Sequence, residues 1–135
     1  MKDDVKRLNE LLRAGKCCAV ALVQLGLESR GQTNEQLLHA MSGLCGGVQS
    51  GILCGALTGA ACLMNVLDPD HANHLMVPEL VTWFLSMTRE EYGGATCADI
   101  LNGDIRNKPL RCPALVVATY VEAKDIMVQF GHEFE

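Results

Sequence analysis

The sequence predicts an all-α fold: a single domain over residues 1–135, a bundle of about six helices around a buried, glycine-rich central helix. Three observations predict it. Apolar residues recur at three- and four-residue spacing, and no stretch alternates with period two for long enough to make a strand. Asp, Thr, Pro and Gly sit where helices start and stop. Apolar residues make up 49% and charged residues 20% of 135 residues, which excludes extended disorder and suffices for one core.

The elements follow in order. Asp3 or Asp4 caps a first helix running to about Arg13, with Val5, Leu8, Leu11 and Leu12 on one face, and Gly15 breaks it. A second helix starts near Cys17 and carries Val20, Leu22, Val23 and Leu25 as far as the Gly26–Gly31 region. Thr33-Asn34-Glu35-Gln36 has the capping-box pattern, with Thr33 as cap, and opens a third helix to about Ser42. Cys45-Gly46-Gly47 reads as a loop. Val48 to Leu67, apolar nearly all round, reads as the central buried helix, ended by Asp68-Pro69-Asp70. Pro78 opens a helix to about Met87 with Leu80, Val81, Phe84 and Leu85. Thr96 caps a short helix to Leu101, with Asp99 as its acidic partner. Asn102 to Arg111 reads as loop, and Cys112-Pro113 starts the last helix, which Gly131 stops near Phe130.

Charge and composition exclude some functions. The formal net charge is −5 and no basic run occurs, which argues against nucleic acid or an anionic membrane surface as partner. One Trp, two Tyr and three Phe are too few for a base-stacking platform. The charged start, Met1-Lys2-Asp3-Asp4-Val5-Lys6, is not a secretory signal, so a cytoplasmic location is expected. The 32 residues from Gln36 to Leu67 hold no Asp, Glu, Lys or Arg, long enough for a membrane span. Their Gln, His, Ser, Thr, Asn and glycines, without an aromatic belt or basic flank, favour a buried helix instead.

Gly43, Gly47, Gly51, Gly55 and Gly59 recur every fourth residue. On one continuous helix Gly51, Gly55 and Gly59 would lie nearly one above another. Each costs about 1 kcal/mol relative to alanine in a helix, so the stripe needs an offsetting gain. Two readings offer one: close packing against a neighbouring helix, or approach of a cofactor or symmetry-related helix.

Seven cysteines are present, an odd number unsuited to a fully paired disulfide scaffold. In a reducing compartment such a cluster points to metal binding or redox chemistry. There is no Cys-x-x-Cys, so any site is assembled from distant segments. Cys17, Cys18, Cys97 and Cys112 fall at expected helix starts, where partial positive charge and free N–H groups favour thiolate. Cys54 lies among glycines, where access is open. Cys62 reads as a packed apolar residue, and Cys45 is undecided. Neighbouring Cys17 and Cys18 point about 100° apart on a helix, so one is functional and the other packed.

The order Cys18-Ala19, Cys54-Gly55-Ala56-Leu57-Thr58-Gly59, Cys97, Cys112 resembles the C-GCAxxG-C-C family of redox-active proteins. Gly46-Gly47-Val48 and Trp83-Phe84 fit the same pattern. The likeness runs from about residue 10 to residue 130. The central motif reads Cys-Gly-Ala here and Gly-Cys-Ala in the family label. The resemblance implies a small helical module of anaerobic bacteria and archaea. It is related to a domain that accompanies haem segments and an iron–sulfur centre in split-Soret-type cytochromes. It implies Cys18, Cys54, Cys97 and Cys112 as candidate ligands of an iron–sulfur cluster and a redox protein as partner. No Cys-x-x-Cys-His occurs, so covalent haem is not expected. Gly51, Gly55 and Gly59 are the candidate cofactor-approach residues.

The alternatives are a metal-free dithiol/disulfide protein, and a zinc-binding or structural adaptor that dimerises through the glycine stripe. Asp68, Asp70, His71 and His74 could gather around a divalent metal, but a solvated turn is the plainer reading. His39 and His132 read as structural or exposed, and Glu90-Glu91 as a helix end. No nucleophile elbow, P-loop or dinucleotide fingerprint occurs.

Overall fold

A computed structural model describes residues 3–133. They form helices α1 (Asp4–Arg13), α2 (Cys18–Ser29), α3 (Glu35–Met41), α4 (Gly55–Leu67), α5 (Val77–Tyr92), α6 (Cys97–Leu101) and α7 (Lys108–Gln129). Short 3-10 or π turns cover Ser42–Leu44, Gly47–Gly51, Ala72–Met76 and Ile105–Asn107. No strand occurs among the described residues, so the fold is all-α as predicted. No described helix is long and apolar enough to cross a membrane.

The packing of α2 on α4 sets the architecture. A Cβ placed on Gly59 would lie 2.7 Å from the Ala19 Cα, and one on Gly55 would lie 3.3 Å from the Cys18 Cβ. At the other end of the contact, the Leu63 side chain fills the space a Cβ on Gly26 would need. Numbers rise together along both helices, so α2 and α4 run parallel and their N-termini share one end of the molecule. The helical cost of glycine is offset by dispersion contacts at backbone-to-backbone range. Around this pair the core closes over Leu8, Leu22, Leu25, Leu63, Met64, Phe84, Ile126 and Met127, all under 2% exposed.

Two polar clasps close the bundle. Buried Asp4 accepts hydrogen bonds at 2.6 Å from the Tyr120 hydroxyl and from Lys124 Nζ, joining α1 to α7. Burial alone would raise the Asp4 carboxyl; Lys124 and Tyr120 outweigh it and hold the group below its ordinary value. Asp68, 8% exposed, takes His132 Nε2 at 2.7 Å and His71 Nδ1 at 2.9 Å. His132, then His71, hold its carboxyl down at about 2.

Several expected boundaries move. The central helix does not run from Val48: α4 starts at Gly55, with Cys54 as its cap. Before it, Gly46, Gly47, Val48, Gln49 and Gly51 all take positive φ, so the chain turns left-handed where a helix was expected. Gly51 is therefore not on the helix with Gly55 and Gly59. The cap of α3 is Asn34, whose side chain accepts from the Leu37 N–H, and not Thr33. Asp3 precedes α1 without a side-chain cap bond. The last helix starts at Lys108 with Pro109 in its first turn, which leaves Pro113 inside it and Cys112 a turn away from the cap. Thr96 caps α6 through the Asp99 N–H at 2.9 Å, as predicted.

Candidate functional site

The parallel pair α2 and α4 brings Cys18, the first residue of α2, beside Cys54, the cap of α4. Helix α6 presents Cys97 from its first position, and α7 presents Cys112 from its second turn. The four sulfurs, with Cys17 and Cys45, line one cavity of about 320 Å³. All four expected ligand cysteines are thus at one place. Cys54 is buried, 3% exposed, not open as the flanking glycines suggested.

The four influence one another most strongly as two pairs. The neighbouring Cys54 thiol is the largest cause holding the Cys97 thiol down at about 6. Burial opposes it; the Gly55 N–H at the start of α4 and the Lys108 ammonium reinforce it. The Cys112 thiol is likewise lowered chiefly by the neighbouring Cys18, against burial and the nearby Cys97 charge. The partners are pushed far up, Cys18 by Cys112 and burial, Cys54 by Cys97 and burial. Within each pair the two thiols are driven apart, Cys97 and Cys112 made more acidic and Cys54 and Cys18 less so. In its neutral form Cys97 can donate instead to the Leu53 carbonyl oxygen at 3.8 Å.

Cys17 and Cys45 form a disulfide, Cα to Cα 5.8 Å, where reduced thiols were expected. It ties the left-handed loop to the start of α2 beside the cavity. Of the neighbouring pair, then, Cys18 faces the thiols and Cys17 is bonded elsewhere. Cys62 is half-buried, packs near Val23 and Leu27, and has its thiol pushed up by burial, in line with its reading as a packed residue.

The glycine trio divides. Gly51 and Gly55 line the cavity; Gly59 is occupied by Ala19 of α2. Sequence reading missed Lys108, which lines the cavity and lowers the Cys18, Cys97 and Cys112 thiols electrostatically. Its signal was its place four residues before Cys112, on the same helix face once α7 starts at Lys108.

Residues 16–126, most of the chain and all of these cysteines, match the profile of C_GCAxxG_C_C proteins, described as "Putative redox-active protein". The chain belongs to the C_GCAxxG_C_C family. No curated protein and no solved structure matches it. Among the described residues no group of three or more His, Cys, Asp or Glu side chains forms a ready metal-ion site. Asp68 and His71 are taken up by the clasp with His132, while Asp70 and His74 are exposed on the turn.

Proposed function

We propose that Cys18, Cys54, Cys97 and Cys112 are the working centre of an electron-transfer protein and that they hold an iron–sulfur cluster. One observation carries the reading: four thiols from four separate helices meet on one cavity. The donor type suits the group, because such clusters are held by cysteine thiolates, and the four side chains would draw together from their present positions to share it. The cavity wall fits it too, since a side chain on Gly55 would press on Cys18 and narrow the space. When bound, the cluster would supply one-electron transfer. The chain's own residues would supply the rest. The Gly55 N–H and Lys108 would stabilise sulfur charge, and the four thiols would give up their protons on ligation. A redox protein is the expected partner, and a reducing cytoplasm of an anaerobic prokaryote the expected setting.

The pairing of thiols favours a second reading. Cys54 with Cys97, or Cys18 with Cys112, could pass between dithiol and disulfide, releasing two electrons and two protons to an acceptor. Each pair sets a thiol whose acidity is raised beside one whose acidity is lowered, the asymmetry that thiol exchange uses.

Protein purified without oxygen should be brown, with iron and sulfide in matching amounts, and Cys54→Ser should lose both. Colourless, iron-free protein that also resists reconstitution would overturn the cluster reading. Thiol counts before and after a mild oxidant would then test the dithiol reading, and zinc content the adaptor alternative.

A further inference from the structure

A second cleft opens between the end of α1 and the start of α7, about 520 Å³ in volume. Arg13, Lys16 and Lys108 line it, and no Asp or Glu does. Its inner wall contains Cys18 and Cys112, which it shares with the thiol cavity. Leu12, Pro109 and Pro113 supply apolar surface. The three cations are far apart in sequence, so no basic run announces them. Each is exposed, and none enters an ion pair among the described residues.

This concentration of positive charge is at odds with a chain of net charge −5. Three like charges around one concavity repel one another until an anion joins them. The starts of α2 and α7, neither carrying a side-chain cap bond, turn further partial positive charge toward the same region. Mixed apolar and cationic walls of this volume suit a small organic molecule.

We propose that this cleft binds a small organic anion, a carboxylate, sulfonate or phosphate on a compact apolar body, against the Cys18–Cys112 pair. Binding itself stands apart from the cluster reading.

The test is an NMR titration of the full chain with benzenesulfonate and with its neutral counterpart benzenesulfonamide. Benzenesulfonate should saturably shift the backbone amides of Lys16, Cys18 and Lys108, and benzenesulfonamide should not. Changing Arg13→Gln and Lys16→Gln together should weaken binding at least tenfold, and added salt should weaken it further. Both positions are exposed, so the variant keeps its fold. Equal response to both probes, no saturable response, or binding unchanged in the double variant would each overturn the proposal. The cluster reading is scored separately by iron and sulfide, so the two can fail independently.

Discussion

Gly59→Ala adds one methyl group at the closest approach of α2 and α4. That methyl would lie 2.7 Å from the Ala19 Cα, 3.0 Å from Leu22 Cδ1 and 3.2 Å from the Ala19 carbonyl oxygen, where ordinary contact begins at 3.4 Å. Two of the three neighbours are backbone atoms, which cannot rotate away, so the helices must separate by several tenths of an ångström. Overpacking of this kind costs about 1–3 kcal/mol. Alanine returns about 1 kcal/mol of helix propensity. Separating the helices also weakens contacts along the whole seam, so the upper part of the range applies. The net loss is about 1–2 kcal/mol, or about 3–8 °C in Tm for a domain of this size. Gly26→Ala should cost less, because it meets the flexible end of Leu63. Gly43→Ala has nothing within 4 Å and should be neutral or slightly stabilising. Urea unfolding followed by circular dichroism ranks the three. If Gly59→Ala is as stable as the parent, or Gly43→Ala loses as much, the seam is not what sets the spacing of these helices.

Three further outcomes are expected. In reduced, cluster-free protein the alkylation rate of Cys97 should rise through a midpoint near 6, and Cys54→Ala should move it up toward 9.0, read by peptide mass spectrometry; a parent midpoint near 9.0 would refute the pairing of Cys97 with Cys54. Asp68, held down at about 2, stabilises the fold fully above 3.8 and loses that effect as pH falls toward 2. The Tm gap between parent and Asp68→Asn should therefore be wide at neutral pH and close on acidification, and a gap independent of pH would refute the clasp. Val48 is β-branched, 47% exposed and at φ 61°, so Val48→Gly should stabilise by about 1 kcal/mol in the same urea assay, and a loss would show that its side chain matters more than its backbone.

Helix class and most helix positions were legible because their causes are local. Thr96 reaches only three residues ahead, and the spacing in Leu8, Leu11 and Leu80, Phe84 turns directly into buried faces. The misjudged boundaries had distant causes. Gly46-Gly47 marked a loop, but nothing at Val48 or Gln49 marks that the left-handed turn continues through them. It is framed by the Cys17–Cys45 disulfide and by the Ile52 N–H bonding back to the Gly47 carbonyl oxygen. The sequence reading started the last helix at Cys112-Pro113 and left Pro109 in a loop, whereas the helix begins at Lys108. The bonds Asn107 Nδ2 to Leu101 O and Arg111 Nη1 to Ile100 O anchor the earlier start. For the site, the cysteine pattern was legible and the pairing was not. Which thiol meets which depends on the parallel run of α2 and α4, and the Arg13, Lys16 and Lys108 cluster depends on where α7 begins.

The clasp between Asp4 and α7 spans 116 residues to Tyr120 and 120 to Lys124. On the ribosome, helix α1 is made first and waits longest for its counterpart. Cys18 and Cys54 likewise emerge long before Cys97 and Cys112, so their thiols spend the interval without native partners. Cys17 and Cys45 are only 28 residues apart and can join within the first half of synthesis. Once they are joined, Cys17 no longer competes with its neighbour Cys18 for the cavity thiols. The cavity thus gains its full set of thiols only when α7, the last helix, packs against the others.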